Sequence, residues 1–301
     1  MTPPLSLHSR QAAASSDKQP PAPAEVLHVL ARGRRAVTPC GEGELVWHLW
    51  GEGHARPEAP PLVLLHGGSG SWTHWLRNVL PLAAAGRLVV VPDLPGFGDS
   101  AMPPSGGDAD ALPVPLEQGL QELVGDSPCD RVGFSFGGLT AGFLAQAQPQ
   151  RAQRLVLVGA PGLGLPALQK IEIKGWRHLP QPRQQQAVHE HNLRQLMLHH
   201  EASLTPLASR LQALNAERDR MPNRRLARTE ALSQALQDVH CPVHAIFGEH
   251  DRFSQGQEAA LEAVLRRCPG FGQFVSVPDA GHWAQFERPE AFYRALWPLL
   301  G

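Results

Sequence analysis

Three short motifs, far apart in this 301-residue chain, carry groups that can move protons or attack a carbonyl. The first is Gly133-Phe134-Ser135-Phe136-Gly137, a Gly-x-Ser-x-Gly pentapeptide. The second is Gly248-Glu249-His250-Asp251, and the third is Asp279-Ala280-Gly281-His282-Trp283. A serine hydroxyl is a weak nucleophile and needs a base beside it as it attacks. Imidazole, with an ordinary pKa of about 6.5, takes that proton near neutral pH and returns it to a leaving group. A carboxylate on the other ring nitrogen fixes the tautomer and stabilises the imidazolium. Ser135, His282 and Asp251 are therefore a candidate nucleophile, base and orienting acid. Taken singly, each has a plainer meaning. Ser135 fits a turn serine, Asp251 a loop-capping acid with Glu249 as its nearest substitute, and His282 a core residue packed under Trp283.

The elements that must position these groups are short apolar runs. Leu62-Val63-Leu64-Leu65 leads into His66-Gly67-Gly68, and Leu88-Val89-Val90-Val91 into Pro92-Asp93. Val132-Gly133-Phe134 leads into Ser135, and Leu155-Val156-Leu157-Val158 into Gly159. Val243-His244-Ala245-Ile246-Phe247 leads into Gly248, and Phe274-Val275-Ser276-Val277 into Pro278. Runs so short and so apolar fit strands buried on both faces, as in a parallel sheet covered by helices. The fold class is α/β. In such sheets sites form outside the C-terminal strand ends, where all three motifs fall. Residues 26–30 and 44–50 read as antiparallel edge strands. Between residues 163 and 238 no strand-like run occurs, while Leu204, Leu207, Leu211 and Leu214 repeat at helical spacing. That stretch is too long for a loop and reads as a helical cap over the sheet. The expected organisation is a disordered leader at 1–24, a core at 25–162 and 239–301, and a cap at 163–238.

Composition removes several function classes. Lysine plus arginine number 27 against 28 acidic residues, a formal charge of −1, so no bulk field attracts nucleic acid. No run of about 18 apolar residues could span a bilayer, and the Pro/Ala/Ser/Gln-rich leader lacks the core of a secretory signal. Cys40, Cys129, Cys241 and Cys268 form no C-x-x-C pair, which points to reduced thiols in a cytoplasmic protein. His178, His189, His191, His199 and His200 in the cap have no carboxylate or thiol at ligand spacing, so no metal is expected. Gly67-Gly68-Ser69-Gly70 lacks the lysine of a P-loop, and no dinucleotide fingerprint follows the first parallel strand, so no cofactor is expected. Arg218, Arg220, Arg224, Arg225 and Arg228 read as a solvated face. The expected partner is a small-molecule substrate, with no nucleic acid and no membrane.

The chain order Ser, Asp, His at three strand ends resembles the α/β-hydrolase fold family of serine hydrolases. The likeness runs from about residue 26 to the C-terminus. It implies a mostly parallel twisted sheet flanked by helices, a helical lid and an acyl-serine intermediate. It also implies an oxyanion hole built from the N–H groups of Gly68 and Phe136, where losing one donor costs roughly 3–4 kcal/mol. His66 is then structural, and Asp99 and Ser100 anchor a loop. Residues 66–78 and Gly281-His282-Trp283 resemble the meta-cleavage-product C–C hydrolases. Phe134 departs from that group, which has Asn before the nucleophile, and Gly70 stands where the group has Pro. The resemblance places Phe134, Trp283 and Ser69 in the substrate pocket. It also calls for a lid arginine facing a substrate carboxylate, with Arg177, Arg183 and Arg194 as candidates, and it admits a homodimer. The leading expectation is a hydrolase of small carboxylic esters. C–C bond hydrolysis of dienoic ring-fission products is the alternative, and a noncatalytic ligand-binding module a distant one.

Overall fold

The computed structural model describes residues 22–166 and 168–301. The expected leader lies outside these residues except for its last three positions. Of those, Ala24 already opens a helix, Ala24–Leu30.

Eight strands form one sheet: β1 (Arg34–Cys40), β2 (Gly43–Trp50), β3 (Leu62–Leu65), β4 (Val89–Pro92), β5 (Cys129–Phe134), β6 (Ala152–Val158), β7 (Val243–Gly248) and β8 (Phe271–Val277). Their order is β1-β2-β4-β3-β5-β6-β7-β8. The β1–β2 and β2–β4 pairs are antiparallel, and every pair from β4 to β8 is parallel. The α/β class read from the sequence is the one the chain adopts.

The apolar runs are continuous because both sheet faces are covered. Along β3, Val63 and Leu65 enter one core while Leu62 and Leu64 enter the other. Along β6, Leu155 and Leu157 alternate in the same way with Val156 and Val158. A period of two with both faces apolar is what two helical layers impose. The helices Pro113–Val124 and Phe136–Ala147 supply Leu116, Leu120, Leu139 and Leu144 to one face. The helices Ala24–Leu30 and Pro289–Leu296 supply Val26, Val29, Phe292 and Leu296 to the other.

One expected edge strand is corrected. Residues 26–30 are helical, and the edge strand is β1. Val26 and Val29, three apart, are both buried, and the Trp50 indole N–H donates to the Val29 carbonyl at 3.0 Å. An apolar run this short fits either period, and packing on Trp50 decides for the helix. The second edge strand is present as β2. Between β6 and β7 the described residues form the helices Pro182–Leu196, Pro206–Glu217 and Ala231–Ala235 with short 3-10 turns, and no strand.

A buried ion pair joins the strands at the end of the sheet opposite the motifs. Arg87 bonds the Asp130 carboxylate, which also accepts from Arg154 Nη1 at 3.0 Å. Arg87 and Asp130 expose 2% and 0% of their side chains. Removing one member leaves the other charge buried and unpaired. Asp130→Ala should lower the free energy of unfolding by about 3–5 kcal/mol in urea titrations. A loss within experimental scatter would show that the pair is not desolvated.

Candidate functional site

The site begins where β5 stops. Phe134 ends the strand, Ser135 turns at φ 51° and ψ −119°, and the helix Phe136–Ala147 starts at the next residue. Both sides of the turn are pinned. The Ser135 N–H donates to the Val158 carbonyl at 2.7 Å, and its own carbonyl accepts from Gly138 N–H at 2.8 Å. A Cβ at Gly133 would collide with the Gly137 carbonyl, and one at Gly137 with the backbone of Leu65 and His66. Glycine at both places lets the helix start pass this close to β3 and β5. The Ser135 side chain sits at the half-buried apex.

The turn after β3 packs on that apex: a Cβ on Gly67 would lie 3.2 Å from Ser135 Cβ. Two buried imidazoles hold the turn. His66 Nε2 accepts from Leu94 N–H at 2.8 Å, so its Nδ1–H donates to the Gly67 carbonyl, also at 2.8 Å. His74, in the 3-10 turn Trp72–Trp75, accepts from Gly67 N–H at its Nδ1, 3.2 Å away. Among the described residues the N–H groups of Gly68 and Phe136 have no hydrogen-bond acceptor. Burial pushes the pKa of His66 down and that of His74 well down. For His74, repulsion from His66 and His282 adds to the effect.

The remaining two motif residues meet at the ends of β7 and β8. His282 Nδ1 donates to Asp251 Oδ2 at 2.7 Å, with 3% and 1% of the two side chains exposed. Asp251 Oδ1 accepts from Phe253 N–H at 3.0 Å. The His282 ring packs 4.9 Å from that of Phe134, the neighbour of Ser135, and 4.7 Å from that of Phe253. Because Nδ1 is committed to Asp251, Nε2 is the ring nitrogen without a hydrogen-bond partner among the described residues. The elements carrying Ser135, Asp251 and His282 thus converge at one end of the sheet.

Three expected pocket residues sit differently. Phe134 and Trp283 expose no surface. Phe134 wedges between His74 and His282, and the Trp283 indole N–H donates to the His74 carbonyl at 2.9 Å. Both are supports for the imidazoles rather than pocket wall. The Ser69 hydroxyl donates to Asp219 Oδ2 at 2.5 Å, so it joins the turn to the segment between β6 and β7.

The arginine expectations are also corrected. Arg177 lies over Trp176 and bonds the Ala216 carbonyl, and Arg194 pairs with Glu201. Arg183 is exposed at the start of the helix Pro182–Leu196. The arginine that reaches the site is Arg224, which the sequence places on a solvated face. A Cβ on Gly68 would lie 3.2 Å from Arg224 Nε, and the guanidinium stands 6.0 Å from the Phe136 ring centre. Arg224 Nη1 bonds Asp219 Oδ2 and the Met221 carbonyl, each at 2.8 Å. No local spacing marks Arg224. His74 was equally unmarked, although it lies only eight residues past His66.

The buried imidazoles make stability depend on pH. His66 and His74 titrate below their ordinary value in the folded chain, so the unfolded chain takes up protons first. Their contribution is complete above about pH 6.5 and is lost as pH falls through the lowered folded values. Unfolding free energy measured in urea from pH 8 to pH 5 should therefore fall towards acid. His74→Gln should flatten that fall, and parallel curves for the two proteins would refute the assignment.

The sequence profile of the α/β-hydrolase fold family matches residues 60–289. A 2-hydroxy-6-oxononadienedioate/2-hydroxy-6-oxononatrienedioate hydrolase of Cupriavidus pinatubonensis is 31% identical over 81% of this chain and 87% of its own length. A 2-hydroxy-6-oxo-6-phenylhexa-2,4-dienoate hydrolase of Comamonas testosteroni is 26% identical over 79% of this chain and 86% of its own. Among solved structures, carboxylesterase CesB (YbfK) from Bacillus subtilis superposes with a TM-score of 0.71 at 20% identity, covering 92% of this chain and 95% of the other. With that profile covering β3 to β8 and all three motifs, the chain is a hydrolase belonging to the α/β-hydrolase fold family, in the group of the meta-cleavage-product hydrolases.

Proposed function

We propose that Ser135 is the nucleophile, His282 the general base and acid, and Asp251 the group that orients and stabilises the imidazolium. The observation that carries this reading is the buried 2.7 Å bond between His282 and Asp251 at the strand ends beside the turn of Ser135. Attack by the Ser135 hydroxyl on a carbonyl passes its proton to His282 Nε2 and places negative charge on the carbonyl oxygen. The free N–H groups of Gly68 and Phe136 are the donors for that charge. Collapse expels the leaving group, which takes the proton from His282. Water, activated by the same imidazole, then releases the acyl group as a carboxylic acid. The substrate is a small molecule, no cofactor enters these steps, and we place the enzyme in the cytoplasm. None of the described helices is long and apolar enough to cross a membrane.

The bond cleaved depends on what leaves. An ester expels an alcohol. A C–C hydrolase must expel a carbon with its electron pair, which needs delocalisation into a conjugated keto acid and a cation near the charge. Arg224 against Gly68 supports the second reading, together with the C–C hydrolase names of the relatives. We therefore favour C–C cleavage in a substrate bearing a carboxylate. The ester reading is favoured by one fact, the pairing of Arg224 with Asp219, which cancels its charge locally.

Two experiments separate these levels. Ser135→Ala should lose fluorophosphonate labelling and at least about 10³-fold in turnover of any substrate. Labelling that persists would remove Ser135 as nucleophile. Absorbance decay of 2-hydroxy-6-oxo-6-phenylhexa-2,4-dienoate should outpace hydrolysis of p-nitrophenyl butyrate. Arg224→Met should cut kcat/KM for the dienoate roughly tenfold or more, a loss of about 1.4 kcal/mol or greater, and leave the ester nearly unchanged. The opposite preference would establish the ester reading.

A further inference from the structure

On the outer side of the loops that hold Asp251 and His282, a second group of side chains meets. Glu249, His250 and Asp279 each offer one ligand atom, and the three atoms lie within 4.8 Å of one another. His250 Nε2 stands 3.8 Å from Glu249 Oε2, too far for a hydrogen bond between them. Donors sharing an ion at about 2.0–2.2 Å lie roughly 3–4 Å apart, and the 3.8 Å between His250 and Glu249 falls in that range.

The backbone fixes the arrangement. The Asp279 N–H donates to Glu249 Oε2 at 3.0 Å, which holds that carboxylate beside Asp279, and the His250 N–H donates to the Ala280 carbonyl at 2.8 Å. The His199 ring stacks on His250 at 3.7 Å with an interplanar angle of 17° and holds its plane. His200 is turned away, its Nε2 accepting from Arg288 Nη2 at 2.6 Å. Arg288 is thus spent on a carbonyl and an imidazole, while the Asp279 carboxylate has no cation paired to it among the described residues. Gln255 reaches His250 only at Nδ1, at 3.5 Å, and Glu287 is engaged with the N–H groups of His199, His200 and Gly281.

We infer that Glu249, His250 and Asp279 bind one divalent first-row transition ion of the zinc class. One imidazole nitrogen with two carboxylates, and open positions for water, fits such an ion. Calcium, which takes six to eight oxygens, does not fit this set. The ion would tie the loop carrying Asp251 to the loop carrying His282 from outside, without touching either residue. The inference is independent of the catalytic reading.

The test uses the full chain, stripped with EDTA and titrated with ZnCl2 against a chromophoric chelator. One equivalent should bind. His250→Ala should weaken it roughly tenfold or more, with Glu249→Gln and Asp279→Asn weaker in the same sense. His178→Ala, a surface imidazole elsewhere, should bind as the parent does. Zinc should raise the Tm of the parent and not that of His250→Ala. Cobalt(II) should give a visible spectrum without thiolate charge-transfer bands. The proposal is overturned by no stoichiometric binding, by unchanged affinity in His250→Ala, or by thiolate bands that place the ion on cysteines.

Discussion

The site depends on one backbone conformation. Ser135 holds φ 51° and ψ −119°, a region that costs a residue with a Cβ about 1–3 kcal/mol. Such a turn persists only when its surroundings over-determine it. Here the Val158 carbonyl takes the Ser135 N–H from the strand on one side, and Gly138 and Leu139 bond its carbonyl from the helix. Strands β3, β5 and β6 stand adjacent in the sheet, and two glycines remove the Cβ atoms that would block the approach. The serine is therefore presented at an apex because the middle of the sheet is rigid. The strain is offset by the fully buried strands beneath it.

The second constraint is electrostatic. Four imidazoles or carboxylates crowd around this apex: His66, His74, His282 and Asp251, all nearly without solvent contact. Among the described residues Asp251 is the one carboxylate hydrogen-bonded to any of the three rings, while Asp93 acts on His66 only through space. The bonding sorts them. His66 has both ring nitrogens engaged with backbone, and His74 accepts from an N–H, which suits the neutral ring. His282 alone is bonded to a carboxylate. In the proposed mechanism that bond is what would stabilise the imidazolium formed when the ring takes a proton.

Much of this was legible because it is local. A pentapeptide bounded by an apolar run, and an acid and a histidine just past two more such runs, announce their positions through strand periodicity alone. The α/β class follows from the same runs. Residues 26–30 were misread because four apolar positions in five satisfy both periods, and the deciding contact, Trp50, comes twenty residues later. Arg224 and the supporting roles of Phe134 and Trp283 were illegible for a related reason. Each depends on how the segment between β6 and β7, or the loop after β8, settles on residues 66–74, and no spacing within those stretches encodes that. Side-chain type was informative where it sat on a strand end and silent where a partner came from elsewhere in the chain.

The segment between β6 and β7 does more than cover the sheet. On one side it grips the turn after β3: Asn215 bonds Ser71 and Thr73, Asp219 bonds Ser69, and Arg224 lies on Gly68. On the other it grips the loop of His282: the Met197 carbonyl accepts from Trp283 N–H, and Glu287 accepts from the N–H groups of His199, His200 and Gly281. Gly68 and the imidazole of His282 lie on different loops with no strand pairing to set their register. Directional bonds from one inserted segment to both loops supply it. Apolar packing alone would tolerate sliding, whereas these partly buried polar contacts specify one arrangement because breaking any of them strands an unpaired group. Substitutions at Asn215 or Glu287, remote from Ser135, therefore act on the alignment of Ser135, Gly68 and His282 rather than on any one of them.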